Sequence, residues 1–147
     1  MQFSKYIFIV FILLSGSCFF ASAQEVPLTV VGNSRGVPTE LKLNALKSIL
    51  KGEKQRWPDG TKVVIALMKT STPVGNYTCR KIYNMSGDEL NKFFLALVFQ
   101  GKGQAPSFFN SVSELESFVA QTPGAIGITG PAAASVRTIE VEGKKTL

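Results

Sequence analysis

The chain has 147 residues, a formal net charge of +6 and no histidine. Without histidine it lacks the commonest general base and the commonest transition-metal ligand, which excludes Ser-His-Asp and Cys-His catalysis. Its basic residues are scattered rather than clustered, so the charge indicates a mild attraction for anions and no nucleic-acid interface.

The first 23 residues have the pattern of a secretory signal peptide. Lys5 precedes an apolar run from Tyr6 to Phe20, and the small residues Ala21-Ser22-Ala23 follow. The run is shorter than the roughly 20 residues that a membrane-spanning helix requires, and no later segment is apolar enough to span. The sequence therefore predicts cleavage after Ala23 and export, to the periplasm or beyond, without a transmembrane segment in the mature chain.

The two cysteines bear on lipidation and on disulfides. Cys18 follows Ser15-Gly16-Ser17, which lacks the leucine expected three positions upstream of a lipoprotein cysteine, so the sequence disfavours lipid attachment. Once the signal peptide is removed, Cys79 is alone and cannot form an intramolecular disulfide. We interpret Cys79 as a small buried hydrophobe rather than a reactive thiol. Residues 24–147 have the length of one domain with one core.

Strands and helices alternate along the mature chain. A β-branched run predicts a strand at Val26–Val31, and helical spacing of apolar residues predicts a helix at Glu40–Lys51 with Thr39 as its N-cap. The nearly continuous apolar run at Lys62–Leu67 predicts a strand that is covered on both faces, as in a parallel sheet.

The second half continues the alternation. Ser86 with Glu89, and Ser111 with Glu114, each form a capping box that predicts the start of a helix. The predicted elements are helices at Val74–Tyr83, at Gly87–Phe99 and from Ser111 to Gln121, then a buried strand at Ala125–Thr129 and a half-exposed edge strand at Val136–Val141. This order indicates an α/β fold with a mostly parallel sheet flanked by helices.

Aromatic residues outside these elements are interpreted as part of the core. Trp57 follows Arg56, and packing over a core edge is favoured over a ligand platform. Phe108 and Phe109 lie in a predicted loop after Pro106, where covering the end of the core is favoured over an exposed contact patch.

The turn after the second strand is the candidate ligand site. Ligands of open α/β sheets bind at the carboxyl ends of strands, where the following helix presents unpaired N–H groups. The candidate oxyanion-binding residues are Lys69, Thr70, Ser71, Thr72 and Gly75. The alternative is purely structural: Thr72 caps the helix, with Pro73 at its first position, and no ligand is needed.

Four segments together resemble the phosphate-type substrate-binding proteins of ABC transporters, which have the type II periplasmic binding protein fold. They are LKLNALKSILKGEKQRWPDG, VVIALMKTSTPVG, LVFQGKGQAP and LESFVAQTPGAIGIT. The most specific parts are Leu46 to Gly60 and Thr122 to Gly127. The resemblance implies a three-layer, single-lobe, periplasmic-binding-protein-like domain that binds phosphate or a similar oxyanion and needs no cofactor or metal.

The resemblance also implies a weakened site. Full-length members are two-lobed clamps that hold the anion between their lobes, and this chain is similar to the second lobe. Their loop carries an Arg and then a Gly-Ser-Gly-Thr stretch that grips phosphate. The hydroxyl stretch falls on Thr70–Thr72 with Gly75 nearby, whereas the Arg position falls near Leu67 or Met68. A bidentate Arg fork is not replaced by the point charge of Lys69.

Two functions therefore stay open. The first is an exported lobe that binds phosphate or another oxyanion weakly, completed by a second copy or a membrane partner. The second is a non-catalytic module that has lost its ligand and engages an envelope protein or a second copy. An enzyme is disfavoured, because the sequence supplies no nucleophile with a base and no metal-ligand cluster.

Overall fold

A computed structural model describes residues 25–131 and 135–147, and their strands form one six-stranded sheet. The strands are β1 Thr29–Gly32, β2 Glu40–Leu41, β3 Val64–Met68, β4 Ser107–Phe109, β5 Ala125–Thr129 and β6 Thr138–Val141. The helices are α1 Leu43–Leu50, α2 Pro73–Thr78, α3 Gly87–Phe99 and α4 Val112–Gln121, and a π-helical segment at Cys79–Tyr83 continues α2. The predicted signal peptide, including Cys18, lies outside the described residues.

The strand order in the sheet is β2-β6-β1-β5-β3-β4. β1 is antiparallel to both of its neighbours, whereas the other adjacent pairs are parallel. The predicted mostly parallel sheet is therefore confirmed. In the part of the chain that the structure describes, no helix is long and apolar enough to cross a membrane.

Helices cover both faces of the sheet, because the central strands are apolar on both sides. Ile65 and Leu67 of β3 belong to the larger core cluster, which also contains buried residues of α1, the π-helical segment and α3. Ala66 and Met68 belong to a second cluster that includes Leu115 of α4. The result is the predicted three-layer α/β arrangement, in which α4 covers the face opposite α1 and α3.

Four side chains predicted to pack in or over the core do so. Trp57 is buried, and its Nε1 donates to the Gly124 carbonyl oxygen over 2.9 Å. Phe108 packs against the larger cluster, and the Phe109 ring lies 5.0 Å from the Phe118 ring. Cys79 is also buried, as expected. The predicted packing roles of these residues are confirmed.

The predicted start of α1 and the predicted position of β6 in the sheet are wrong. α1 begins at Leu43 rather than Glu40, and its N-cap is Lys42, not Thr39. The preceding residues form β2 instead, because the Thr39 carbonyl oxygen accepts from the Glu140 N–H of β6 over 2.9 Å. β6 therefore lies between β2 and β1 and is not an edge strand, although its exposure alternates as predicted.

The loop predicted around Phe108 is wrong in a similar way. Ser107–Phe109 is β4, which pairs in parallel with the carboxyl half of β3. The hydrogen bonds that stabilise it come from a strand about 40 residues earlier, and a three-residue strand is too short to show periodicity. The first predicted strand is also displaced, since β1 begins at Thr29 and ends at Gly32.

Candidate functional site

The carboxyl ends of β3, β4 and β5 meet at one edge of the sheet because these strands are parallel. We call this side the carboxyl edge. The turn 69–72 leaves β3 there and leads directly into α2. It is attached to the neighbouring strand, since the Lys69 N–H donates to the Phe109 carbonyl oxygen over 2.9 Å. The fold thus places the candidate turn where sheets of this kind bind ligands.

Thr72 is the N-cap of α2. Its hydroxyl accepts from the Gly75 N–H over 3.0 Å and donates to the Lys69 carbonyl oxygen over 2.7 Å. Pro73 occupies the first helical position, where a missing N–H carries no penalty. The capping interpretation is confirmed, and the single hydroxyl proton of Thr72 is already engaged within the turn.

Gly75 is required by close backbone packing. A Cβ atom at this position would lie 2.0 Å from the Lys69 carbonyl oxygen and 2.7 Å from that of Met68. Both distances are far below van der Waals contact, so the first turn of α2 presses directly on the end of β3. Gly75 therefore shapes the turn, and its N–H is taken by Thr72.

Lys69, Thr70 and Ser71 carry the donors that remain. The N–H groups of Thr70 and Ser71 make no hydrogen bond to any residue that the structure describes. The side chains of Lys69 and Ser71 are exposed. Thr70 is half-buried against the start of α3. A Cβ atom added at Gly87 would lie only 2.9 Å from the Cβ atom of Thr70. The turn thus presents two N–H groups, one exposed hydroxyl and one ammonium group.

Two acidic residues lie on the helix that begins beside this turn. Asp88 and Glu89 lie in the first turn of α3, which begins beside Thr70. The Glu89 carboxylate accepts from the Ser86 N–H over 2.7 Å, and this hydrogen bond holds the pKa of Glu89 below its usual range. Their negative charge opposes a doubly charged anion at the turn.

The Arg that the resemblance leads one to expect has no counterpart at the end of β3. Leu67 and Met68, the two positions on which it falls, are 2% and 5% exposed and pack in opposite core clusters. No group of three or more histidine, cysteine, aspartate or glutamate residues in the described chain could hold a metal ion. The turn can therefore act on an anion only through hydrogen bonds and the charge of Lys69.

The buried thiol of Cys79 is not a candidate nucleophile. Cys79 is 1% exposed, and burial raises the pKa of its thiol. A thiol that is buried and protonated is a poor nucleophile and a poor metal ligand. Its role in the described structure is packing within the larger core cluster.

Solved structures of ABC-type phosphate transport proteins share the fold of this chain. One is an ABC-type phosphate transport receptor from Vibrio cholerae, with a TM-score of 0.64 and 17% identity. Another is PstS from Borrelia burgdorferi, with a TM-score of 0.60 and 18% identity. A third, from Clostridium perfringens, is described as a phosphate ABC transporter substrate-binding protein with bound phosphate, with a TM-score of 0.60 and 14% identity.

The matches cover 82%, 80% and 80% of this chain but 48%, 48% and 45% of those chains, respectively. The chain thus spans about half the length of the structures it matches. No protein-family model matches the sequence, and neither does any curated protein. At these identities the similarity shows the fold, and the predicted fold class is confirmed.

Proposed function

We propose that this chain is an exported, non-catalytic binding lobe that holds phosphate or a similar oxyanion weakly at the turn Lys69–Ser71. The observation that carries the proposal is the pair of unpaired N–H groups on Thr70 and Ser71, beside an exposed hydroxyl. Backbone N–H groups ahead of a helix suit an oxyanion. Export is supported by the signal-like pattern of residues 1–23.

Thr72 and Gly75 contribute by shaping the turn rather than by touching the anion. Thr72 closes the turn on itself, and Gly75 lets α2 approach the β3 carbonyl groups. The affinity is low, because one ammonium group replaces an Arg fork and carboxylates lie in the first turn of the adjacent helix. Completion of the site by a second copy or a membrane partner would enclose the anion and strengthen its hydrogen bonds.

Isothermal titration of the purified chain with phosphate, and separately with sulfate, tests the proposal. We expect saturable heat with phosphate, and Ser71→Ala should weaken binding about tenfold because a hydrogen bond to a charged group is lost. Ser117→Ala is the matched control, since Ser117 is an exposed serine on α4 far along the chain from the turn. Absence of heat with any oxyanion, or equal losses in the two variants, would contradict the proposal.

A second function is favoured by an exposed apolar surface on α3. Leu95, Val98 and Phe99 are 59%, 45% and 83% exposed. They are spaced three and four residues apart and so lie on one face of the helix. Contiguous exposed apolar groups of this kind mark contact sites. The alternative is therefore an interaction module whose α3 face engages an envelope protein or a second copy.

Sedimentation experiments separate the alternative from simple anion binding. If α3 mediates self-association, the purified chain should sediment as a dimer or larger species, and Phe99→Ser should return it to the monomer. Ala96→Ser, on the same exposed stretch of α3, should change little. An oligomer that survives Phe99→Ser would remove α3 as the contact surface.

A further inference from the structure

A cavity of about 260 Å³ lies at the amino end of β3. Its floor is Lys62–Ile65, and its walls are Gly52, Lys54–Arg56 and Gly103–Ala105. We call it the amino-edge cavity. From Val64 to Met68 a strand rises about 13 Å at roughly 3.3 Å per residue. The amino-edge cavity is therefore separate from the turn at Lys69–Ser71 and independent of the function proposed for that turn.

The residues that line the amino-edge cavity include three cationic ones, the exposed Lys54, Arg56 and Lys62, and no acidic one among the described residues. The two acidic residues nearest in the sequence have other partners. Glu53 accepts a hydrogen bond from Ser48, and Asp59 accepts from the Thr61 N–H. The lining residues themselves therefore carry a formal charge of +3.

Two polar side chains of the amino-edge cavity are held in place by the backbone. Arg56 Nη1 donates to the Gly60 carbonyl oxygen over 2.9 Å, which leaves most of its five N–H donors for a ligand. Gln55 Nε2 donates to the Lys102 carbonyl oxygen over 2.6 Å. Groups that are oriented before binding lose less conformational entropy when a ligand arrives.

We propose that the amino-edge cavity binds the phosphate monoester of a small polar alcohol. A phosphate monoester carries a charge of about −1.5 to −2 at neutral pH, which suits a guanidinium flanked by two ammonium groups. The amides of Gln55 and Gln104 can bind the hydroxyl groups of the alcohol. The volume lies just below the roughly 300 to 1,000 Å³ of sites for drug-sized ligands, which indicates a small molecule.

A structural role for the same cations competes with this proposal. Lys54 and Arg56 follow α1, whose C-terminal end carries a partial negative charge that nearby cations stabilise. In that case their removal would lower the stability of the fold and leave ligand binding unchanged. Stability and binding must therefore be measured on the same variants.

Glycerol 2-phosphate is the probe, followed by the backbone amide signals of the purified chain in NMR titrations. We expect shifts at Val64, Ile65 and Gly103, which line the cavity, and smaller shifts at Thr70 and Ser71. Lys54→Gln combined with Lys62→Gln should raise the Kd at least about tenfold, because two charge-assisted contacts are lost. Neither lysine donates a hydrogen bond within the described residues, so this variant should fold.

The matched control removes two lysines that do not line the cavity. Lys42→Gln combined with Lys145→Gln lowers the net charge equally and should raise the Kd less than about twofold. Equal effects of the two double variants would reduce the binding to general attraction and overturn the proposal. So would an absence of shifts around the cavity at about 10 mM probe.

Two further results would overturn the proposal in different ways. If inorganic phosphate bound the cavity as tightly as glycerol 2-phosphate, the ester specificity would be wrong. If the Lys54 and Lys62 variant lost stability in urea but kept its affinity, these cations would only stabilise the C-terminal end of α1. Failure of the turn site is distinguishable, because Ser71→Ala should leave the amide shifts at Val64 and Ile65 unchanged.

Discussion

At the scale of single residues, the turn after β3 shows how one set of atoms can cap a helix and face a ligand. The Thr72 hydroxyl donates to the Lys69 carbonyl oxygen and accepts from the Gly75 N–H. Ser71, one residue earlier, is exposed and free to donate. The hydroxyl groups of Ser71 and Thr72, which are adjacent in the sequence, therefore have different roles in the structure.

Replacing the cap tests this division. Thr72→Ala should lower the free energy of unfolding by about 1 kcal/mol, because the Gly75 N–H loses its acceptor, whereas Thr72→Ser should retain most of it. Thr39→Ala is the matched control: the sequence pattern marks Thr39 as a cap, but the structure gives that position to Lys42. It should change stability by less than about 0.5 kcal/mol in urea unfolding. A larger loss at Thr39 than at Thr72 would contradict the assignment of the two caps.

At the scale of secondary-structure elements, the π-helical continuation of α2 connects the helices on one face of the sheet. The Tyr83 hydroxyl donates to the Leu50 carbonyl oxygen at the end of α1 over 3.0 Å, and its ring packs edge-on against Phe94 of α3. The wider turn ends at Asn84, which adopts the left-handed conformation that stops a helix. One tyrosine thus holds α1, α2 and α3 together on one face of the sheet.

Tyr83→Phe should lower the free energy of unfolding by about 1 to 2 kcal/mol, because it leaves the Leu50 carbonyl oxygen buried without its donor. Tyr77→Phe is the control, since among the described residues the Tyr77 hydroxyl accepts only from the Lys81 ammonium group, over 3.4 Å at the surface. Urea unfolding followed by circular dichroism measures both. Equal losses would show that the Tyr83 hydrogen bond contributes nothing of its own.

The capping box of α3 predicts a dependence of stability on pH. The Ser86 N–H hydrogen bond lowers the pKa of Glu89 in the folded chain, so the folded state holds this carboxylate ionised to lower pH than the unfolded state does. The stabilisation is complete above the unfolded pKa and is lost as the pH falls through the folded pKa. The stability difference between the natural chain and Glu89→Ala should therefore shrink between about pH 6 and pH 3.

The urea midpoints of both chains across this range provide the measurement. Glu89→Gln supplies the comparison, because its side chain still reaches Ser86 but does not titrate, so its difference from Glu89→Ala should stay constant. A gap between the natural chain and Glu89→Ala that also stays constant would show that the box does not depend on ionisation.

At the scale of the whole molecule, the buried thiol provides a reporter for unfolding. Cys79 is the single cysteine of the described chain and is 1% exposed, and burial raises its pKa. A thiol reagent should therefore label the folded chain at least about a hundredfold more slowly than the urea-unfolded chain. Labelling at the same rate in both states would mean that the larger core cluster opens around Cys79 without unfolding of the sheet.

The two edges of the sheet also differ in charge. The carboxyl edge has Lys69 in the turn and two acidic residues in the first turn of α3. The described residues that line the amino-edge cavity include three cationic residues and no acidic one. The family resemblance directs attention to the first edge, and the charge distribution directs it to the second. The titrations of the turn and of the cavity decide between them independently.

Sequence alone predicted those features that depend on residues close together in the chain. The predicted capping box of Ser86 and Glu89 has both of its hydrogen bonds, whereas at Ser111 only the bond from the Glu114 N–H is present. The apolar run ending at Leu67 indicated a strand covered on both faces. The cap at Thr72 also joins residues three apart, and the sequence offers it as one of two alternatives. The burial of Trp57 is expected from its large apolar side chain. Local hydrogen bonds and side-chain hydrophobicity are already present in the sequence.

Only the tertiary structure decided what depends on distant partners. β2 and β4 are short strands whose hydrogen bonds come from β6 and β3, about 100 and 40 residues away, so no local period marks them. The position of β6 inside the sheet and the cations gathered around Lys62 have the same origin. Only the structure shows that the Ser71 side chain is exposed while the Thr72 hydroxyl is hydrogen-bonded. The direction of each hydroxyl depends on how α2 packs against the end of β3.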